Sequence, residues 1–170
     1  MNAKDNKLVL IVDDDQSVRA GLTDLLQSMD IPVKTFGTAA ELLESNLPDV
    51  AACLILDIRL PGINGLEFQD TLIRKDIHIP IVFMTGHGDI PMSVKAMKAG
   101  AIDFLVKPFR EQDMLDAVTR ALEKDNKRRE GELMIPPFPA SLHKQQAPAR
   151  KRRYVVLLDR DCAHRSARER

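Results

Sequence analysis

Asp13, Asp14 and Asp15 stand in a row directly after the apolar run Leu8 to Val12, and Asp57 follows a second run, Ala51 to Leu56. Thr85 closes a third such run and Lys107 a fourth. Carboxylates gathered in one place repel one another unless a cation neutralises them. Two or three carboxylate oxygens with water suit Mg²⁺, which keeps part of its hydration shell and completes its octahedron with a phosphate oxygen. A lysine adds a point positive charge for phosphoryl oxygens, and a threonine hydroxyl adds a donor. Neither GxxxxGK[ST] nor GxGxxG occurs, so no nucleotide cradle is on offer and the phosphoryl acceptor should be a protein carboxylate. Helix capping explains Asp14 or Asp15 taken singly, but not the set.

The elements that would position these residues alternate along the chain. Leu8 to Val12, Ile31 to Phe36, Ala51 to Leu56, Ile79 to Met84 and Ile102 to Val106 read as buried strands, with Pro80 tolerable only near the start of its run. Between them lie segments of helical period. Val18, Leu22, Leu25, Leu26 and Met29 form one stripe. Thr38 to Glu41 is a capping box opening a helix that ends before Pro48, and Asn64 with Glu67 caps another running to about Lys75. Pro91 suits the first position of a helix and Gly100 its stop. A last helix from about Arg110 carries Met114, Leu115, Val118 and Leu122, then dissolves into the charged stretch Lys124 to Glu130. Strict alternation predicts an α/β chain with an open, doubly wound, five-stranded parallel sheet, whose ligands bind beyond the carboxyl ends of the strands. The four polar strand ends therefore fall on one rim.

The net charge of the 170 residues is zero only by cancellation. Residues 131–170 hold nine Lys/Arg and four acids, while residues 1–130 hold sixteen and twenty-one, so a basic tail offsets an acidic body. The tail carries Pro136, Pro137, Pro139 and Pro148 and no sustained period, and is expected to be largely disordered, with a stray strand at Tyr154 to Leu158. Two cysteines do not make a disulfide framework. With no run of 18 apolar residues and no secretory leader pattern, the expectation is a cytoplasmic chain that does not enter a membrane.

Ile11-Val-Asp-Asp-Asp15, Leu54-Ile-Leu-Asp57-Ile-Arg-Leu-Pro61-Gly, Met84-Thr85-Gly-His-Gly-Asp89 and Phe104-Leu-Val-Lys107-Pro108-Phe together resemble the receiver domain of two-component response regulators. The run from Thr85 to Phe109 resembles the FixJ-like branch (LuxR/NarL-type regulators), and the likeness covers about residues 7 to 124. It implies a flavodoxin-like (CheY-like) (βα)5 receiver domain over residues 1–124; the resemblance does not reach residues 131–170, and residues 125–170 read from composition as a linker and basic tail. It implies Asp57 as the phosphorylated residue, and Mg²⁺ held by Asp13, Asp14, Asp57 and the backbone carbonyl of Arg59. Thr85 and Lys107 would bind the phosphoryl group, Phe104 would take the aromatic switch position, and Pro108 would follow a cis bond. Arg59 and His87 occupy positions that tune dephosphorylation. The implied partners are a sensor histidine kinase and a second copy of the chain, the latter on phosphorylation, through Met92, Lys95, Ala96, Ile102, Asp103 and Phe104. No enzymatic activity beyond turnover of its own aspartyl phosphate is implied.

The family's usual helix-turn-helix output is not legible in residues 131–170, which lack two consecutive amphipathic helices. DNA binding is expected only with an output domain, or weakly through the basic tail. The tail could be such an arm, an appendage to a stand-alone receiver that acts by protein contact, or the product of a shifted reading frame; its abrupt onset where a linker should meet a helix favours the last. A competing reading of the first strand is a haloacid-dehalogenase-type phosphatase with Asp13 as nucleophile, although it leaves Asp57 unexplained.

Overall fold

The computed structural model describes residues 6–88 and 90–133. The expectations for residues 134–170, including the strand at Tyr154 to Leu158, lie outside the described residues. Apolar runs become strands and amphipathic stretches become helices in the order β1 (Lys7–Val12), α1 (Gln16–Ser28), β2 (Val33–Phe36), α2 (Ala39–Glu44) and β3 (Ala51–Asp57). Two short strands follow, β4 (Arg59–Leu60) and β5 (Ile63–Asn64), and then α3 (Gly65–Arg74), β6 (Ile81–Thr85), α4 (Ile90–Lys98), β7 (Asp103–Val106) and α5 (Glu111–Leu133). The five long strands are all parallel in the order β2-β1-β3-β6-β7, which is the flavodoxin-like arrangement.

Period-two alternation sorts the strand side chains into two cores. Leu8, Leu10, Val12, Leu54, Leu56 and Phe83 face α2, α3 and α4, whereas Val9, Ile11, Cys53, Ile55, Val82 and Met84 face α1 and α5. All seven residues of β3 are buried, as expected for the central strand of a sheet covered on both sides. At about 1.5–3 kcal/mol per buried Leu or Ile, this strand anchors the domain. β2 and β6 each begin two residues later than expected, after Pro32 and Pro80. A proline has no N–H for the ladder, but its carbonyl still serves it. Val9 N donates to Pro32 O at 2.9 Å and Leu54 N to Pro80 O at 2.9 Å.

Three helices stop in the same way. After α1, α3 and α4, the residues Asp30 (φ 55°), Asp76 (φ 60°) and Gly100 (φ 100°) turn left-handed. The next amides, of Ile31, Ile77 and Ala101, reach back to Leu26 O, Leu72 O and Ala96 O. Only Gly100 was expected in this role; aspartate tolerates the left-handed region well enough to serve the other two. Met29 lies at the C-cap of α1 and is 55% exposed, so it falls outside the buried stripe. The capping box of α2 forms with a shift of one residue. Thr38 Oγ1 accepts from Glu41 N, while the Glu41 carboxylate accepts from Gly37 N at 3.0 Å. Pro91 lies at the second residue of α4, since the helix begins at Ile90.

The largest departure is α5. It continues to Leu133 rather than dissolving after Leu122. Asp125 explains the extension: it is fully buried and accepts from Ala52 N at 2.9 Å, from Arg128 at 2.8 and 3.0 Å, and from Arg129 at 3.0 Å. Arg129 also pairs with Asp49, and Arg128 with Glu132 at 2.8 Å. A charged stretch that looked like a helix end is thus tied to the start of β3.

Candidate functional site

Strand register brings the polar ends level. Val12 lies opposite Leu56, so Asp13 and Asp57 emerge side by side at the carboxyl ends of β1 and β3. Thr85 lies opposite Val106 in the β6–β7 pair, which sends Lys107 out beside it, and Lys107 N donates to Thr85 O at 2.7 Å. The lysine chain reaches back across β6, and its Nζ donates to Asp13 Oδ2 at 2.9 Å and to Asp57 Oδ2 at 3.3 Å. The peptide bond between Lys107 and Pro108 is cis.

Each carboxylate has a second task. Asp13 Oδ1 accepts from Asp15 N at 2.8 Å, and Asp13 is fully buried. Asp57 Oδ1 accepts from Arg59 N at 3.0 Å, and Asp57 is 6% exposed. Asp15 caps α1 by accepting from Ser17 N at 2.8 Å, which frees the exposed Asp14 to face the cluster. One oxygen from each of Asp13, Asp14 and Asp57 lies within 4.8 Å of the others. Three carboxylates against a single lysine leave the rim net negative, and the hard oxygen donors suit a divalent cation that keeps part of its water.

The electrostatics agree. Burial raises the Asp57 carboxyl above the ordinary aspartate range, helped by the neighbouring Asp13; the Arg59 N–H and Lys107 pull the other way without cancelling the shift. For Lys107, burial disfavours the ammonium, but its hydrogen bond to Asp13 and the charges of Asp57 and Asp13 outweigh burial and hold it above the ordinary lysine value.

The floor beneath Asp57 is tight. A Cβ on Gly65 would sit 2.8 Å from Asp57 O and 2.9 Å from the Ile58 Cα, and Gly65 N donates to Ile58 O at 2.8 Å. Both close atoms belong to the backbone and cannot rotate away. Gly65→Ala is therefore expected to destabilise the fold by about 1–3 kcal/mol, read as a lower urea midpoint. An unchanged midpoint would show that the β3–α3 junction yields freely.

Thr85 is fully buried, and its hydroxyl faces the following loop. It donates to His87 O at 3.3 Å and accepts from His87 N at 3.2 Å. His87 and Arg59 are exposed, and Phe104 is half-buried against the core that contains Ala96. Of the six residues expected on a dimer face, Ala96 does not belong there. It is fully buried in the core, because its position on α4 points at the sheet. Lys95 is exposed, and Met92, Ile102, Asp103 and Phe104 are partly so. The sequence reading missed the outward residues Ile90, Val94, Met97 and Val106, which are 44–79% exposed. Ile90, Val94 and Met97 share one face at i, i+4 and i+7, a signal open to sequence inspection but masked because α4 is apolar on several sides.

A flavodoxin-like sheet order with an acidic rim and a lysine at its carboxyl ends defines the CheY-like receiver fold. The response regulator receiver domain family matches residues 9–119, and the chain belongs to it. Nodulation protein W of Bradyrhizobium diazoefficiens is 56% identical over 133 residues, which cover 78% of this chain and 59% of that protein. The chain thus spans less than two thirds of that curated relative. The solved structure of the response regulator StyR is 50% identical with a TM-score of 0.70, covering 75% of this chain and 64% of StyR. FixJ-N is 42% identical with a TM-score of 0.62, covering 69% of this chain and 94% of FixJ-N. The FixJ-like likeness is therefore borne out. Membership of the receiver family, whose model spans Asp57 as well as Asp13, favours the receiver reading over the phosphatase alternative. Among the described residues, no helix is long and apolar enough to cross a membrane.

Proposed function

We propose that this chain is the phosphoryl-accepting unit of a two-component phosphorelay, with Asp57 as acceptor and a phosphohistidine on a sensor histidine kinase as donor. The observation that carries the reading is the shared lysine: Lys107 Nζ bridges Asp13 and Asp57 at 2.9 and 3.3 Å on an otherwise acidic rim. Receiver domains as a class interact with histidine kinases and can dimerise. Asp13, Asp14 and Asp57, with the backbone carbonyl of Arg59, are the residues that would hold Mg²⁺, which supplies positive charge for the equatorial phosphoryl oxygens. Lys107 offsets the remaining charge and orients the Asp57 oxygen that it touches. Arg59 and His87, exposed beside Asp57 and Thr85, tune the approach of water to the acyl phosphate.

The switch follows from a comparison of magnitudes. Phosphorylation puts about −1.5 to −2 charge at the end of β3. The Thr85 hydroxyl then exchanges two neutral bonds to the His87 backbone, which at 3.3 and 3.2 Å are together worth about 1 kcal/mol, for one charge-assisted bond worth about 1.5–3 kcal/mol, a net gain of about 0.5–2 kcal/mol. A tenfold population shift needs only ~1.4 kcal/mol. Releasing His87 loosens the loop that leads into α4, and the change reaches α4 and β7 directly. We place the readout on that face: Met92, Lys95, Ile102, Asp103 and Phe104, with the exposed Ile90, Val94, Met97 and Val106 as its apolar part. A second phosphorylated copy is the expected partner for it.

Incubating the full chain with acetyl phosphate and Mg²⁺ is expected to give one phosphoryl adduct and a shift from monomer to dimer in light scattering. An adduct that forms equally well in EDTA, or none at all, would contradict the reading. Thr85→Ala should keep the adduct but lower the dimer fraction by roughly tenfold; full dimerisation would remove Thr85 from the switch.

A further inference from the structure

Arg19 stands at the end of the first turn of α1, close behind the acidic rim, and is half-buried. Its Nη1 donates to the main-chain carbonyl oxygen of Asp13 at 2.6 Å, rather than to a carboxylate. Its own main-chain N–H donates to Asp15 O at 3.1 Å. One residue therefore grips both ends of the turn Asp13-Asp14-Asp15, the first by its side chain and the last by its amide. The guanidinium also reaches the end of β2, where Nη1 lies 3.7 Å from the point that a Cβ on Gly37 would occupy.

The bond to Asp13 O holds something that no other anchor of the turn holds. Asp13 N donates to Phe36 O at 3.2 Å, Asp13 Oδ1 accepts from Asp15 N at 2.8 Å, and Asp13 Oδ2 accepts from Lys107 Nζ at 2.9 Å. None of these touches the peptide that joins Asp13 to Asp14. Asp13 O and Asp14 N belong to that one planar unit, so a donor fixed on the carbonyl also fixes the direction in which the chain leaves for Asp14. A charged donor makes this bond roughly twice as strong as a neutral one.

We propose that Arg19 is a positioning residue of the cation site: by clamping the Asp13 carbonyl it presets the spacing of the Asp13 and Asp14 carboxylates that would share Mg²⁺. This role rests on the reading of the rim as a Mg²⁺ site. It is separable from the charge that Arg19 carries. A positive charge beside an acidic site repels a divalent cation, so its removal alone should tighten binding, whereas removal of a clamp that holds two ligands in place should weaken it. The sign of the change tells the two apart.

The test is a Mg²⁺ titration of the unphosphorylated full chain, followed by the amide NMR shifts of Asp14, Asp57 and Arg59. Arg19→Met keeps most of the aliphatic stem, and with it the packing of α1. It is expected to raise the Kd for Mg²⁺ roughly tenfold, the lower end of the loss seen when the support of a metal-holding group is removed. Arg19→Lys retains a charged donor and should bring the Kd back to within about threefold of the unaltered chain. Before any Mg²⁺ is added, Arg19→Met should already displace the Asp14 amide nitrogen resonance, because that nitrogen shares its peptide with the carbonyl that has lost a partner. A Kd for Arg19→Met equal to or below that of the unaltered chain would overturn the proposal. So would an Asp14 resonance that stays in place, or a loss in Arg19→Lys as large as in Arg19→Met. Absence of saturable shifts in the unaltered chain would instead remove the Mg²⁺ reading and the role of Arg19 together.

Discussion

Asp57→Asn is expected to lower phosphoryl uptake from any donor by at least about a thousandfold, the effect of removing a nucleophile for which no neighbour substitutes. The same change should raise the unfolding midpoint at neutral pH. The Asp57 carboxyl is held above its ordinary range, chiefly by burial, so the folded state binds its proton more readily than the unfolded chain does. Stability from this group is therefore present at low pH and is lost as pH rises from the unfolded aspartate value through the raised folded one. The cost of the ionised group grows as pH rises through that window. Asparagine keeps the acceptor for Arg59 N and removes the charge that burial and Asp13 oppose. A gain in Tm that shrinks in acid is the outcome to look for. A loss of stability at neutral pH would mean that the Lys107 contact outweighs burial.

Asp125→Ala should carry the largest cost in stability of any single change outside the apolar core. It leaves the Ala52 amide buried without an acceptor and takes from Arg128 and Arg129 their shared buried partner, leaving them only the more exposed Glu132 and Asp49. Breaking a buried ion pair costs about 3–5 kcal/mol. The two arginine side chains are 33% and 25% exposed and partly regain water, so about 2–3 kcal/mol is expected by urea unfolding. Helical ellipticity should fall as well, since residues 124–133 carry no apolar stripe of their own. An unchanged midpoint with full helicity would show that α5 extends on local propensity alone.

The sheet and most of its rim were legible because buried parallel strands write themselves as apolar runs and their ends as abrupt polar residues. Asp13, Asp57, Thr85 and Lys107 could be grouped without knowing any distance, since strict alternation of strand and helix places every carboxyl end on one side. What escaped depends on tertiary contact. The length of α5 rests on a bond between residues 73 apart in sequence, Asp125 to Ala52, which no local pattern encodes. Ala96 was placed on the wrong side of α4 because Ile90, Met92, Val94 and Met97 surround it with apolar neighbours, so the buried stripe was ambiguous. Asp30 and Asp76 were missed as helix stops because aspartate takes left-handed backbone less often than glycine.

The central claim is that Asp57, and no other carboxylate of the acidic rim, receives the phosphoryl group. Reductive trapping tests it most directly: phosphorylate the chain with acetyl phosphate and Mg²⁺, reduce the acyl phosphate with borohydride, digest, and locate by mass spectrometry the aspartate converted to homoserine. The account predicts conversion at Asp57 alone, absent when Mg²⁺ is withheld. Conversion at Asp13 or Asp14 would contradict it.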